Sequence, residues 1–179
     1  MVERRLPGAA EFAVKPKIID TVKIDTLTPR RLEVLAHMAQ GLSNQAIADQ
    51  MLVGKKAIEA HIKRLFSNFE MTGKDPRAFA VHTYISQHEE FKNPLEGKKS
   101  IKPFTQREKV VLALVGQGLS NQVIANMLER ARKTVDRHIN GIRSKMKIDK
   151  KEKSPRIMMV LAAHALQKEE WFPEEAKFD

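Results

Sequence analysis

The 179-residue sequence predicts an all-α protein of two tandem four-helix helix-turn-helix domains, joined by a Lys- and Pro-containing linker. The first ground is a repeat. Gly41-Leu42-Ser43-Asn44-Gln45-Ala46-Ile47-Ala48 returns as Gly118-Leu119-Ser120-Asn121-Gln122-Val123-Ile124-Ala125, 77 residues on (118 minus 41). The same offset aligns Thr28 with Thr105, Val34-Leu35-Ala36 with Val111-Leu112-Ala113, Lys56 with Lys133, His61-Ile62 with His138-Ile139, and Ser67 with Ser144. After a two-residue insertion, Pro76-Arg77 aligns with Pro155-Arg156. Self-similarity at a fixed period means one structural unit written twice. The second ground is helical spacing of apolar residues in both copies, with no strand alternation inside them. The third is the short break between the second and third helices of each copy, which is helix-turn-helix spacing.

In chain order, residues 1–26 read as an arm. Pro7-Gly8 and Pro16 break any helix. The alternation Val22-Lys23-Ile24-Asp25 predicts an extended segment packed on the first unit. The first unit, 27–91, opens at Thr28-Pro29, an N-cap followed by proline at the first helical position. Gly41 stops this helix, and Ser43 caps the next, which carries Ile47, Ala48 and Met51-Leu52. Gly54 is read as the turn. A third helix from about Lys55 to Asn68 faces Ile58, Ile62, Leu65 and Phe69 inward. Asp75-Pro76 starts a fourth, with Phe79, Val81, His82 and Ile85. Residues 92–103 form a linker too rich in Pro and Lys for regular structure. The second unit, 104–168, opens at Thr105-Gln106-Arg107-Glu108, a capping-box spacing. Ser120 caps its second helix, which is expected to end near Arg130. The third runs from about Arg132 to Lys147, with Val135, Ile139, Ile142 and Met146 on one side. A basic loop, Lys147 to Lys153, precedes the fourth helix at Ser154-Pro155. An acidic tail, 169–179, carries Trp171-Phe172.

Composition sets bounds on function. Hydrophobic residues are 42% of the chain, enough for a core in each unit. Cysteine is absent, which removes disulfides and thiolate metal sites. No apolar run approaches the ~20 residues of a membrane span, and the N-terminus lacks the apolar core of a signal peptide. The expectation is a cytoplasmic protein without a membrane partner. The net charge of +10 is unevenly placed. Residues 105–168 hold 14 Lys and Arg against 5 Asp and Glu, or +9, whereas residues 27–91 hold 8 against 7, or +1. A basic unit of this size points to a polyanion partner, most often nucleic acid.

Both copies resemble the DNA-binding domain of the LuxR/FixJ/NarL (GerE-type) transcription regulators. The resemblance covers about residues 27–88 and 104–167. It rests on Gly41-Leu42-Ser43-Asn44 with Ile47-Ala48, and on Gly118-Leu119-Ser120-Asn121 with Ile124-Ala125. Lys133-Thr134-Val135 with His138 and Lys145-Met146 add to it, as do Lys56-Ala57-Ile58 with His61. Arg77 with Ala80-Val81, and Arg156 with Met159-Val160, match the start of the family's last helix. The resemblance implies a transcription regulator binding double-stranded DNA, with the third helix of each unit in the major groove. There are three departures. Two copies stand here without a sensor domain. Gly54 and Ala131 hold the place of a serine cap on the recognition helix. Glu59 and Asp136 stand where the family often has lysine; an acid there repels phosphate but can accept from cytosine N4.

The candidate DNA-binding residues follow. In the second unit they are Arg132, Lys133, Thr134, Arg137, His138, Asn140, Arg143 and Lys145, with Arg137 suited to guanine and Asn140 to adenine. In the first they are Lys55, Lys56, Lys63 and Arg64. The bland alternative for all of them is a solvated helix face. Ser120 and Asn121, like Ser43 and Asn44, begin a helix whose free N–H groups can meet phosphate; capping alone explains them equally well.

His61 and His138 have no second ligand at metal spacing. With no nucleophile–base set, paired carboxylates or phosphate-cradling glycine loop, neither an enzyme nor a cofactor is expected. The fourth helix of the second unit is apolar almost all round, which a surface helix is not. Either the fourth helices pair, giving an intramolecular pseudo-dimer or a homodimer between chains, or this helix is buried in its own core. A rival reading makes the chain a co-regulator whose near-neutral first unit docks RNA polymerase or another regulator, with DNA contact left to the second.

Overall fold

A computed structural model describes residues 24–67, 72–88, 91–96, 103–148 and 153–168. Among these residues the regular structure is eight α-helices and one 3₁₀ turn, with no strands. The helices are α1 (Pro29–Ala39), α2 (Asn44–Gln50), α3 (Lys55–Phe66) and α4 (Pro76–His88), then α5 (Gln106–Gly116), α6 (Asn121–Met127), α7 (Arg132–Met146) and α8 (Pro155–Lys168). The residues expected to form the rest of the arm (Val22 included), Asn68 and Phe69, the middle of the linker, the loop residues Asp149 to Glu152 and the acidic tail lie outside the described residues.

Local chemistry explains most helix ends. Ser43 and Ser120 accept the amides of Ala46 and Val123, at 3.2 and 3.4 Å. Each satisfies one orphan donor of a first helical turn. Thr105 and Glu108 complete the capping box, with Glu108 taking the Thr105 amide at 2.7 Å. Thr28 differs from its counterpart. It occupies the N-cap of α1 but makes no side-chain cap bond, because the Arg31 amide goes to the Thr28 carbonyl at 2.9 Å. Gly41 and Gly118 end α1 and α5 at φ +78° and +73°, where a side chain is strained.

Four sequence expectations are corrected. The segment expected to be extended holds a 3₁₀ turn at Ile24–Thr26. Three-residue spacing puts Ile24 and Leu27 on one side of such a turn, and both are buried. Second, the left-handed residue between α2 and α3 is Leu52 (φ +53°), not Gly54, which caps α3 in an extended conformation. Glu129 takes the matching place in the second copy at φ +49°. Third, α6 ends at Met127, short of Arg130, because the turn through Glu129 has already begun. Fourth, α7 ends at Met146, with Lys147 left-handed at φ +47°.

The buried residues form one continuous cluster across both copies. α3 contributes Ile58, Ile62 and Leu65, and α7 contributes Val135, Ile139, Ile142 and Met146. Side chains of this kind each stabilise by about 1.5–3 kcal/mol when fully buried. α8 lies against α5 and α7 of its own unit and against α4 and α1 of the other. That sandwiched position accounts for its all-round apolarity: Ile157 to Ala163 are all buried.

Where the copies meet, counterpart positions exchange partners. Leu42 forms an antiparallel bridge with Lys153, and Lys74 forms one with Leu119. The Ser154 amide donates to the Gly41 carbonyl at 2.8 Å, and the Asp75 amide donates to the Gly118 carbonyl at 2.8 Å. α1 touches α8 as α5 touches α4. This reciprocity is the signature of a pseudo-two-fold axis. Both left-handed glycines sit at the meeting. A methyl group on Gly118 would lie 2.5 Å from the Phe79 Cα, and one on Gly41 would collide with the Met158 sulfur.

Candidate nucleic-acid interface

The third helix of each copy turns its apolar residues inward and its basic residues out. On α3, Lys55, Lys56, Lys63 and Arg64 are exposed. Lys55 faces Glu59 one turn away at 3.8 Å, with both side chains about half exposed. A pair in that setting contributes about 0.3–0.5 kcal/mol, so it dilutes the charge of this face without anchoring it. On α7, Arg132, Lys133, Arg137 and Asn140 are exposed, while Thr134, Asp136, His138 and Arg143 are half-buried. Asn140 accepts from Arg143 Nη1 at 3.4 Å. Beyond them the face continues into an open cleft of about 370 Å³, lined by Asn140, Arg143, Ser144, Lys147, Ile148 and Pro155.

Three candidates are turned to internal work. Lys145 bonds to Glu108 at 2.5 Å and to the Pro103 carbonyl at 3.0 Å. It also lies over the Phe104 ring. This candidate for DNA contact is thus engaged in a partly buried ion pair. Burial pushes the Glu108 carboxyl up, but hydrogen bonds from Lys145 and Thr105 outweigh this and hold it below its ordinary value. Ser120 is occupied as a cap. Asn121 is engaged at both ends: its oxygen accepts from Arg156 Nη1 at 2.5 Å, and its amide donates to Asp136 at 2.7 Å. In the first copy Asn44 accepts from Arg77.

Reasoning from sequence missed the role of the two arginines. Arg77 Nη2 donates to the Leu42 carbonyl at 2.9 Å, and Arg156 Nη2 to that of Leu119. Each thus ties the fourth helix of its unit to the start of the second. Burial lowers both guanidinium pKa values, opposed by Asp75 and, for Arg156, also by Asp136. The recurrence of an asparagine at 44 and 121 together with an arginine at 77 and 156 was the available signal.

The family model described as bacterial regulatory proteins, luxR family, matches residues 25–76 and 102–158, together more than half of the chain. The chain belongs to this family. Its membership makes the chain one of a class of helix-turn-helix, DNA-binding transcription regulators, and both copies carry the motif. The matched residues reach only the first residue of α4 and the first turn of α8. The backbone bridges between the copies therefore lie within the matched residues, and most of α4 and α8 lies beyond them. No curated protein and no solved structure matches the chain significantly. Among the described residues no helix is long and apolar enough to cross a membrane.

Proposed function

We propose that this chain is a sequence-specific transcription regulator that reads a bipartite double-stranded DNA site, with α3 and α7 as the recognition helices of one intramolecular pseudo-dimer. The single observation that supports this reading is the reciprocal meeting of the copies through α4, α8 and the paired backbone bridges, with a helix-turn-helix motif on each side of it. Because α8 is used against α4 and α5 within the chain, both half-sites are assigned to one chain rather than to a homodimer.

Arg137 and Asn140 are the base-reading residues of the second unit, suited to guanine and adenine. Arg132, Lys133 and Arg143 serve phosphates, with Thr134 and His138 at the groove wall. Lys55, Lys56, Lys63 and Arg64 do the corresponding work more weakly in the first. Phosphate contacts set most of the affinity and make it fall with salt. The counterparts Ala60 and Arg137, and Lys63 and Asn140, differ, so the two half-sites differ.

Selection of bound duplexes from a random pool at about 0.15 M salt tests this. The expected product is one motif with two unlike half-sites at fixed spacing. Arg137→Ala then loses guanine preference at one position, with binding weaker by roughly 10- to 100-fold. A wild-type chain that enriches no motif contradicts the reading. A second reading keeps DNA contact for α7 alone and gives the first unit to a protein such as RNA polymerase or another regulator. The low charge of residues 27–91 and the exposed Leu52 beside α3 favour it. A motif with one half-site only is its expected result.

A further inference from the structure

Asp136 is the acid that departs from the family's pattern on the recognition helix. Its side chain is 42% exposed, and its Oδ2 lies 3.9 Å from Arg132 one turn earlier on α7. Its Oδ1 accepts from Asn121 at 2.7 Å. Asn121 is held in turn by Arg156 at 2.5 Å. Arg156 reaches back to the Leu119 carbonyl and lies 3.9 Å from Asp75, the residue that caps α4 in the first unit. One polar chain therefore runs from the recognition helix α7, through the start of α6 and the first turn of α8, to the other unit. Its central member, Arg156, is buried to 17% side-chain exposure. A charge-assisted chain in a partly desolvated setting orients its members more firmly than exposed pairs do.

The first unit repeats only part of this. Arg77 holds Asn44 and the Leu42 carbonyl in the same way. The counterpart of Asp136 is Glu59, and each acid faces a cation one turn earlier, Glu59 with Lys55 at 3.8 Å and Asp136 with Arg132 at 3.9 Å. Among the described residues only Asp136 also accepts from the asparagine that begins the second helix of its unit. The counterpart of Asp75 is Ser154, which carries no charge.

Resting on the DNA-reading function above, we infer that Asp136 is a positioning residue: it fixes the recognition helix of the second unit, through Asn121 and Arg156, so that this half-site is read more stringently than the first. The acid contributes to specificity by holding α7 still, and it contacts neither base nor phosphate. Both acids pair with a cation one turn earlier, and Asp136 alone adds an anchor to that pair, through Asn121.

The test is the selected motif of variants, read beside their thermal melting. In a well-held module a mismatched base pair costs roughly 5- to 100-fold in affinity. With Asp136→Ala, these penalties are expected to fall to about 3-fold at all positions of the second half-site together, while the first half-site keeps its own. Asp136→Asn retains an acceptor for the Asn121 amide and is expected to restore the motif. Glu59→Ala is expected to leave the first half-site's motif unchanged. Arg156→Lys cuts the same chain one link back, because a lysine cannot serve Asn121 and Leu119 in a planar fork. It is expected to broaden the second half-site too, and it stands in should Asp136→Ala fail to fold.

An even rise in affinity with an unchanged motif would show that Asp136 only repelled phosphate. Loss of preference at a single base pair would make it a base reader. Either result overturns the inference, as does an unchanged motif in a folded Arg156→Lys. If the wild-type chain enriches no motif, the underlying function fails and the inference falls with it.

Discussion

His82 shows how much a single residue can carry at the meeting of the copies. Its Nδ1 lies 2.9 Å from His164 Nε2, across the contact of α4 with α8. Burial, then the positive charge of Lys74, lower its pKa from 6.5 to about 4, and a hydrogen bond to the Gly116 backbone only partly offsets them. The folded chain thus keeps the ring neutral, while the unfolded chain protonates near 6.5. The unfolded state binds more protons between these values, so stability is complete above about pH 6.5 and is lost as pH falls toward 4. A shift of that size corresponds to roughly 3 kcal/mol at most, a sizeable part of an ordinary domain's stability. Urea midpoints are expected to fall between pH 7 and pH 5, and less steeply in His82→Asn. An equally steep fall in the variant would assign the effect elsewhere. Leu52 is a second residue under stress. It is 92% exposed and left-handed, a conformation costing a non-glycine residue roughly 1–2 kcal/mol.

At the scale of elements, the turn joining α5 to α6 does two jobs. Gly118 ends α5 in a left-handed conformation and lets the backbone of α4 approach. Gly118→Ala is expected to destabilise the chain by about 3 kcal/mol or more, from backbone strain and overlap with Phe79. Thermal melting measures this, and an unchanged melting temperature would contradict the close approach.

The helices themselves were legible in the sequence, because apolar spacing, serine caps and glycine stops are local signals. The inward faces of α3 and α7 emerged from the same spacing. Less legible were the residues whose partners are far away in the chain. Lys145 looked like one more cation on a basic helix, but its position opposite Glu108, 37 residues earlier, makes it structural. Asn121 looked like a phosphate contact or a helix start for the same reason, because its partners Asp136 and Arg156 lie 15 and 35 residues further on. The turn was misread at Gly54 because glycine is the usual left-handed residue, and here a leucine takes that conformation.

At the scale of the whole molecule, the copies are joined by paired backbone bridges, buried glycine contacts and two apolar helices rather than by the linker alone. The repeat period announced the symmetry of the parts but not how they meet, because no local pattern encodes the pairing of Leu42 with Lys153. On the proposed reading, a junction of this kind would keep α3 and α7 at one separation and one angle. Under the proposed function, the two half-sites would have a fixed phase on the double helix, which repeats about every 34 Å.

The most direct measurement is the affinity of the chain for its selected duplex after insertion of about five, and of about ten, base pairs between the half-sites, roughly a half and a full helical turn. If the two units act as one rigid reader, both insertions reduce binding to that of the second half-site alone. Affinity retained at the full-turn insertion, or at every spacing, would mean that the units bind independently, and the proposed pseudo-dimer would be wrong.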